Sequence, residues 1–247
     1  MYWAIFFLIL LVIVFFAVLV AKEKLSPGAV KIINFLLFLV SLYLGYLIYN
    51  SITAPVRFNQ IKKERYAKVI SRLKDIRDSE VAFRSVTGDY TASFDSLVHF
   101  VDTAKFTITQ RRDSVIKVYN DFLGITEEKE IVIIDTLGFV PVKDSLFKNS
   151  DRYKEMQWVP IPGREHQVKF ELKKGKLKKG EVYVPVFMAR VHKKEVLYDQ
   201  PKDLVEQELN IIGTEEVNGP YIQVGSLDDV TTSGNWPKLY DIQDKRK

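Results

Sequence analysis

The chain has 247 residues, a formal net charge of +5 at pH 7 and no cysteine. The missing cysteine excludes disulfides, thiol nucleophiles, thiolate metal sites and a lipidated-cysteine anchor, and the interleaving of Lys and Arg with Asp and Glu excludes a nucleic-acid-binding field. Roughly the first fifty residues are almost wholly apolar, which leaves about 190 for water, enough for one domain with its own core.

Residues 1–21, "MYWAIFFLILLVIVFFAVLVA", carry no charged side chain over about the length a bilayer-crossing helix needs, and predict a span over about 2–21. No Lys or Arg precedes the run, and Leu19 stands three before Lys22 where a cleaved signal peptide wants Ala or Gly, so retention is expected rather than cleavage. A second apolar run lies between Lys31 and Arg57 and predicts a span over about 32–52. The segment between them, "KEKLSPGAVK", holds Pro27 and Gly28 and is expected to turn the chain into a hairpin of two antiparallel spans. Ser41 and Gly45 lie four apart in the second span and form a candidate helix-packing face, where small side chains let another helix approach closely. Tyr43, Tyr46 and Tyr49 suit the headgroup layer at the exit end.

The charges beside the spans pull in two directions. The connecting loop offers Lys22, Lys24 and Lys31, whereas Arg57, Lys62, Lys63, Arg65, Lys68 and Arg72 follow the second span, and a bare count puts the large domain in the cytoplasm. The first span has only the α-amino group before it and lysines directly after it; since first spans usually dominate, the domain is expected outside.

From Arg57 to Arg84 there is no Gly or Pro, and Tyr66, Val69, Leu73, Ile76 and Phe83 recur at steps of three or four with one polar interruption at Glu80. This predicts a long amphipathic helix that continues from the membrane helix, with Pro55 in its first turn or at a kink. Gly88 is a helix stop, and Ser93 caps a second helix, "FDSLVHFVDTA", that shows Phe94, Leu97 and Val98 to one side. Leu73, Ile76, Phe83, Tyr90, Phe94 and Leu97 form the candidate structural core, with the second helix folded back on the first.

Beyond Lys105 the period changes. "KFTITQ", "SVIKVY", "EIVIID", "GFVPV", "VKFEL", "EVYVPVFMARV" and "YIQVG" are short β-branched and aromatic runs separated by Gly, Pro or charge, the pattern of an antiparallel sheet. "VKFELKKGKLKKGEVYVPVF" reads as a hairpin with Pro185 on an edge strand and Lys173, Lys174, Lys176, Lys178 and Lys179 at its tip. "DLVEQELNII" reads as a short helix opened by Pro201. The fold class is α+β: membrane hairpin over 1–54, long and short helices over 55–104, and an antiparallel β-rich domain packed on them over 105–247.

The second span, its continuing helix and "AFRSVTGDYTASFDSL" resemble the N-terminal part of type IV pilin-like proteins, especially the pseudopilins of type II secretion, over about residues 32–105. Ala82, Phe83, Gly88, Tyr90, Phe94 and Leu97 occupy matching places. The resemblance implies a domain outside the cytoplasm, sheet following helix. The chain departs from the family in lacking the Gly-Phe processing site and the glutamate near the start of the membrane helix, and in having a whole span ahead of it. Processing and filament polymerisation are therefore not implied. As a whole the chain also looks like two-pass envelope proteins of Bacteroidota.

No catalytic signature is legible. His99, His166 and His192 fall on different elements with no metal-binding spacing, and there is no GxSxG, P-loop or dinucleotide glycine pattern. His99, beside an apolar helix face, is read as a packed residue. Asp228 and Asp229, followed by Gly234 and Trp236, are compatible with a calcium loop of the kind some pseudopilins carry, but lack alternating Asp-x-Asp spacing; the plainer reading packs Trp236 on the core. The lysine-rich tip is read as solvated, the other reading being contact with lipid headgroups or an acidic partner. No cofactor, metal or catalytic residue is expected.

The expectation is a structural or interaction subunit of a cell-envelope assembly, in secretion or surface assembly, held in the bacterial inner membrane with its soluble domain periplasmic. Its partners are the lipid bilayer and other membrane or envelope proteins, including further copies of itself. A membrane-tethered ligand-binding protein or enzyme with a deep pocket, or a cytoplasmic-facing scaffold, are the alternatives.

Overall fold

A computed structural model describes residues 11–15, 18, 27–120, 124–148 and 150–242. The chain is α+β and divides into two compact units, Met1–Asn59 and Gln60–Lys247. The first predicted span lies largely outside the described residues; those of it that are described, 11–15 and 18, are helical.

The longest element, helix α1 (Pro27–Thr87), crosses the boundary between the units without a break, with Pro55 inside it. The continuity expected between membrane helix and amphipathic helix is present. Pro27 and Gly28, expected as a turn, instead begin the helix: proline is favoured at a first helical position because its missing N–H would have no partner there anyway. In the first unit Phe35, Phe38, Leu42, Ile48 and Ile52 are all exposed, and the most apolar stretch of α1 buries none of its residues. Among the described residues α1 is the one helix long and apolar enough to cross a membrane. An apolar surface of that extent is stable against lipid rather than water.

In the second unit α1 becomes amphipathic. Tyr66, Val69, Ile70, Leu73 and Ile76 are buried at helical spacing, and the helix stops where Gly88 takes φ +85°, a left-handed conformation that costs glycine little. Ser93 caps helix α2 (Phe94–Thr103) by accepting a hydrogen bond from the Ser96 amide at 3.4 Å. Its buried face is Leu97, Phe100 and Val101, one residue round from the expected one, so Phe94 and Val98 are half-buried. Phe83 meets Phe100 edge-on at 5.1 Å, and Tyr90 stacks on Phe187 at 4.7 Å.

Strands β1 (Lys105–Asn120) and β2 (Ile125–Pro141) form a two-stranded antiparallel ribbon. The four short strands expected here are thus two long ones. The register shifts once, between Ile108, opposite Gly138, and Thr109, opposite Thr136, leaving Leu137 without a partner as a β-bulge. Val142, expected to end a strand, opens helix α3 (Val142–Phe147), whose first amide donates to the carbonyl of Ala104 at 3.0 Å and closes the ribbon's base.

After a 3-10 turn at Arg152–Glu155, strands β3 (Glu171–Lys179), β4 (Val182–His192) and β5 (Tyr221–Gly225) make a three-stranded antiparallel sheet with β4 in the middle. The β3–β4 hairpin is as predicted, but its five lysines lie along β3 and the turn falls at Gly180 and Glu181. Pro185, expected on an edge strand, lies on the central strand β4, but in a part of it that pairs with β3 alone: Pro185 is opposite Lys176, and β5 pairs only with Met188–His192, so no second strand flanks the proline there. Helices α4 (Lys193–Val196) and α5 (Lys202–Leu209) connect β4 to β5, with Pro201 capping α5 as expected. The short helix α6 is Leu239–Ile242.

Candidate interaction surface

The second unit holds a buried ionic cluster that the sequence reading missed. Lys193 is fully buried at the start of α4, and its Nζ donates to the Val217 carbonyl (2.6 Å), the Glu208 carbonyl (2.9 Å) and Glu208 Oε1 (3.0 Å). Glu208, on α5, also accepts from Lys62 Nζ (2.9 Å) and the Tyr66 hydroxyl (3.2 Å), both on α1. Lys62 reaches Glu216 as well, at 3.1 Å. Burial lowers the Lys193 pKa, partly offset by Glu208; burial also opposes the Lys62 ammonium, but Glu208 and Glu216 outweigh it and raise its pKa. An ammonium has three protons, and all three of Lys193 are committed, so it is no nucleophile. One turn along α1, Arg65 clamps Asp199 with two hydrogen bonds of 2.6 and 2.8 Å and donates to the Val196 carbonyl, holding the Asp199 carboxyl down at about 2. This cluster fastens α1 to α4 and α5.

Glu80, the polar interruption in the amphipathic stripe, is fully buried. Its Oε2 accepts the Thr91 amide at 3.1 Å, tying the helix end to the loop after Gly88, while Oε1 has no hydrogen-bond partner among the described residues. Burial pushes its carboxyl up to about 8, against the Thr91 hydrogen bond and the charge of Lys174. Lys174 itself pairs with Asp89 at 3.3 Å. Glu80 acts as a neutral acceptor in the core at pH 7.

Of the candidate core residues, Leu73, Ile76, Tyr90 and Leu97 are buried, while Phe83 and Phe94 are half-buried. Ser41 and Gly45 are exposed on α1, and a methyl group added at Gly45 would meet no atom within 4 Å. His99 is exposed, contrary to its reading as a packed residue, because the buried arc of α2 runs through Leu97, Phe100 and Val101. His166 touches the Trp158 ring edge at 5.5 Å. His192 Nδ1 accepts the Lys194 amide and so caps α4. The three histidines do not converge, and no three His, Asp or Glu side chains gather as a metal site among the described residues. Asp229 Oδ1 accepts its neighbour Val230's amide (2.7 Å), and the amides of Asp228 and Asp229 donate to Ser226 Oγ. Trp236 is buried over Gly234, where a β-carbon would lie 2.3 Å from its ring. A shallow cleft of about 220 Å³, lined by Lys194, Leu197, Tyr198, Gln200, Lys202, Val205 and Glu206, is smaller than the roughly 300–1,000 Å³ of small-molecule sites.

The β1–β2 ribbon is of another kind. Among the described residues its strands pair only with each other, and both faces carry apolar side chains: Ile116, Val118, Ile131 and Ile133 share one face, Val115, Tyr119, Val132 and Ile134 the other. Ile134 is 65% exposed and Phe139 64%. Arg112 pairs with Asp135 (3.0 Å) and Lys117 with Glu128 (3.9 Å) across the strands. An isolated two-stranded ribbon is marginal in water, and its unpaired outer edges template further strand pairing. The signal was present in the sequence as the run "IVII" at 131–134, which breaks the alternation that a strand with one buried face requires.

No protein-family model matches the chain, no curated protein matches it, and no solved structure matches it.

Proposed function

We propose that this chain is a membrane-anchored structural and interaction subunit of a cell-envelope assembly, and that the β1–β2 ribbon is its working surface. The observation that carries this reading is a pair of 16- and 17-residue strands that expose large apolar side chains on both faces and, among the described residues, pair with no third strand. Exposed apolar area of this kind marks association rather than catalysis. The ammonium of Lys193 is committed to Glu208 and the Val217 carbonyl, and a binding role needs no free reactive group. In this reading the chain spans the bacterial inner membrane twice, its domain stands outside the cytoplasm, and the helix–Gly88–helix entry is pilin-like.

The decisive experiment replaces the ribbon between the paired positions Thr109 and Thr136 with a short turn in the full-length protein. Proteins that co-purify from native membranes in mild detergent should be lost while the thermal unfolding of the domain is preserved. Full retention of the co-purifying proteins sinks the ribbon as the surface. Protease added to spheroplasts should digest the chain beyond Arg57; protection until lysis overturns the orientation.

A further inference from the structure

The two strands of the ribbon differ in charge. β1, "KFTITQRRDSVIKVYN", has four basic residues and one acidic; β2, "ITEEKEIVIIDTLGFVP", has four acidic and one basic. Inside the ribbon the opposed signs already meet, as the Arg112–Asp135 and Lys117–Glu128 pairs record. The outer edge of β1 is therefore basic and that of β2 acidic, and among the described residues neither is paired with another strand. No proline interrupts either strand before Pro141, so the free amides and carbonyls continue along both edges.

Charged residues on an edge ordinarily prevent sheets from joining, because like charges directly opposite each other destabilise a pair of strands. Here that protection acts selectively. A two-fold arrangement that set β1 against a second β1 would oppose Arg111, Arg112 and Lys117 to one another, and β2 against β2 would do the same with Glu128, Glu130 and Asp135. Setting β1 of one copy beside β2 of the next brings opposite signs together. Anchored copies in one bilayer share one orientation to it, and copies related by simple displacement run β1 and the next β2 antiparallel, as within the ribbon. Without stagger, Lys117 then faces the neighbour's Glu128 just as it faces its own.

We infer that the ribbon pairs edge to edge with a second copy of this chain, β1 to the neighbour's β2, in a head-to-tail arrangement that continues beyond a dimer. Head-to-tail contacts leave one basic and one acidic edge free after each addition, so growth stops only on ring closure or by capping. This inference rests on the ribbon being the working surface and names its partner.

The test exploits the absence of cysteine from the chain. Full-length chains carrying Lys117→Cys and, separately, Glu128→Cys are co-expressed with distinguishable tags; both side chains are about 70% exposed, so the substitutions spare the fold. Mild oxidation in native membranes should give a disulfide joining the two tagged chains, and neither variant alone should give a covalent dimer. Dimers from either single variant would show two-fold pairing and overturn the inference, as would the absence of any cross-linked product. A sharper form adds Glu130→Lys to the Glu128→Cys chain, which should cut the cross-linked yield several-fold. If the ribbon replacement removes other proteins while no copy-to-copy disulfide forms, the interaction reading stands and only the self-pairing fails.

Discussion

The stretch of α1 around Lys62 and Tyr66 with its ionic cluster, and the β1–β2 ribbon, are opposite solutions within one unit. In the cluster charges are buried and the Lys193 ammonium has three acceptors; along the ribbon apolar groups are exposed and, among the described residues, the outer backbone edges pair with no other strand. The first arrangement is costly to assemble and strongly dependent on each partner, because removing one leaves a charge stranded out of water. The second costs the isolated domain little and is useful only when something covers it. On the proposed function the difference separates residues that hold the fold from residues that use it, and it makes the two regions distinguishable by mutation.

The largest effect should come from the cluster. Glu208→Ala strands Lys193 and deprives Lys62 and Tyr66, and should destabilise the domain by about 3–5 kcal/mol in chemical unfolding. A loss under about 1 kcal/mol would mean that water or Glu216 replaces the carboxylate, and the contrast with the ribbon would collapse.

Glu80→Gln should act in the other direction. A carboxyl whose folded pKa is about 8 against an ordinary 4.5 binds its proton more tightly in the folded state, so stability is greatest below pH 4.5, falls between 4.5 and 8 and is level above. Glutamine keeps the acceptor for the Thr91 amide without the charge, and should stabilise the domain by up to about 4 kcal/mol at pH 9 while abolishing the decline between pH 5 and 8. Unfolding measured at pH 5, 7 and 9 checks this; an unchanged slope places the proton elsewhere.

Within α2 the structure sharpens a distinction between neighbours. Leu97→Ala should cost about 2–4 kcal/mol, and Phe94→Ala less, about 1–2 kcal/mol, because that ring is half exposed. His99→Gln, on the outer face, should stay within about 0.5 kcal/mol. A folded His99→Gln protein that keeps its partners but loses function would point to the enzyme alternative.

The smallest effects on stability belong to the ribbon and the membrane helix. Ile134→Ser with Val132→Ser should shift unfolding by less than about 0.5 kcal/mol yet release co-purifying protein. Ser41→Leu with Gly45→Leu should leave the soluble domain unchanged and reduce the size of the detergent-solubilised assembly, since a branched side chain keeps a neighbouring helix away. Unchanged size would assign that face to lipid.

Much of the architecture was legible because it depends on local chemistry. The apolar run before Arg57, the stripe from Tyr66 to Ile76, the stop at Gly88, the cap at Ser93, the β3–β4 hairpin and the strand "YIQVG" each follow from side chains a few residues apart. Other local expectations are displaced: Pro27 opens a helix instead of a turn, Val142 opens a helix instead of ending a strand, the four short strands before it are two long ones, and the buried arc of α2 runs through Leu97, Phe100 and Val101, leaving Phe94 and Val98 half-buried and His99 exposed.

The sequence by itself determined the class of each segment, membrane-compatible helix, amphipathic helix or strand, because hydrophobic period and backbone preference are properties of neighbours along the chain. Only the tertiary structure decided that Lys62, Lys193 and Glu208, separated by up to 146 residues, share one buried site, and that two long strands find no third among the described residues. The reason is physical: a charge is tolerated in a core only by partners brought from distant segments, and a strand's edge is free or covered according to what else folds beside it.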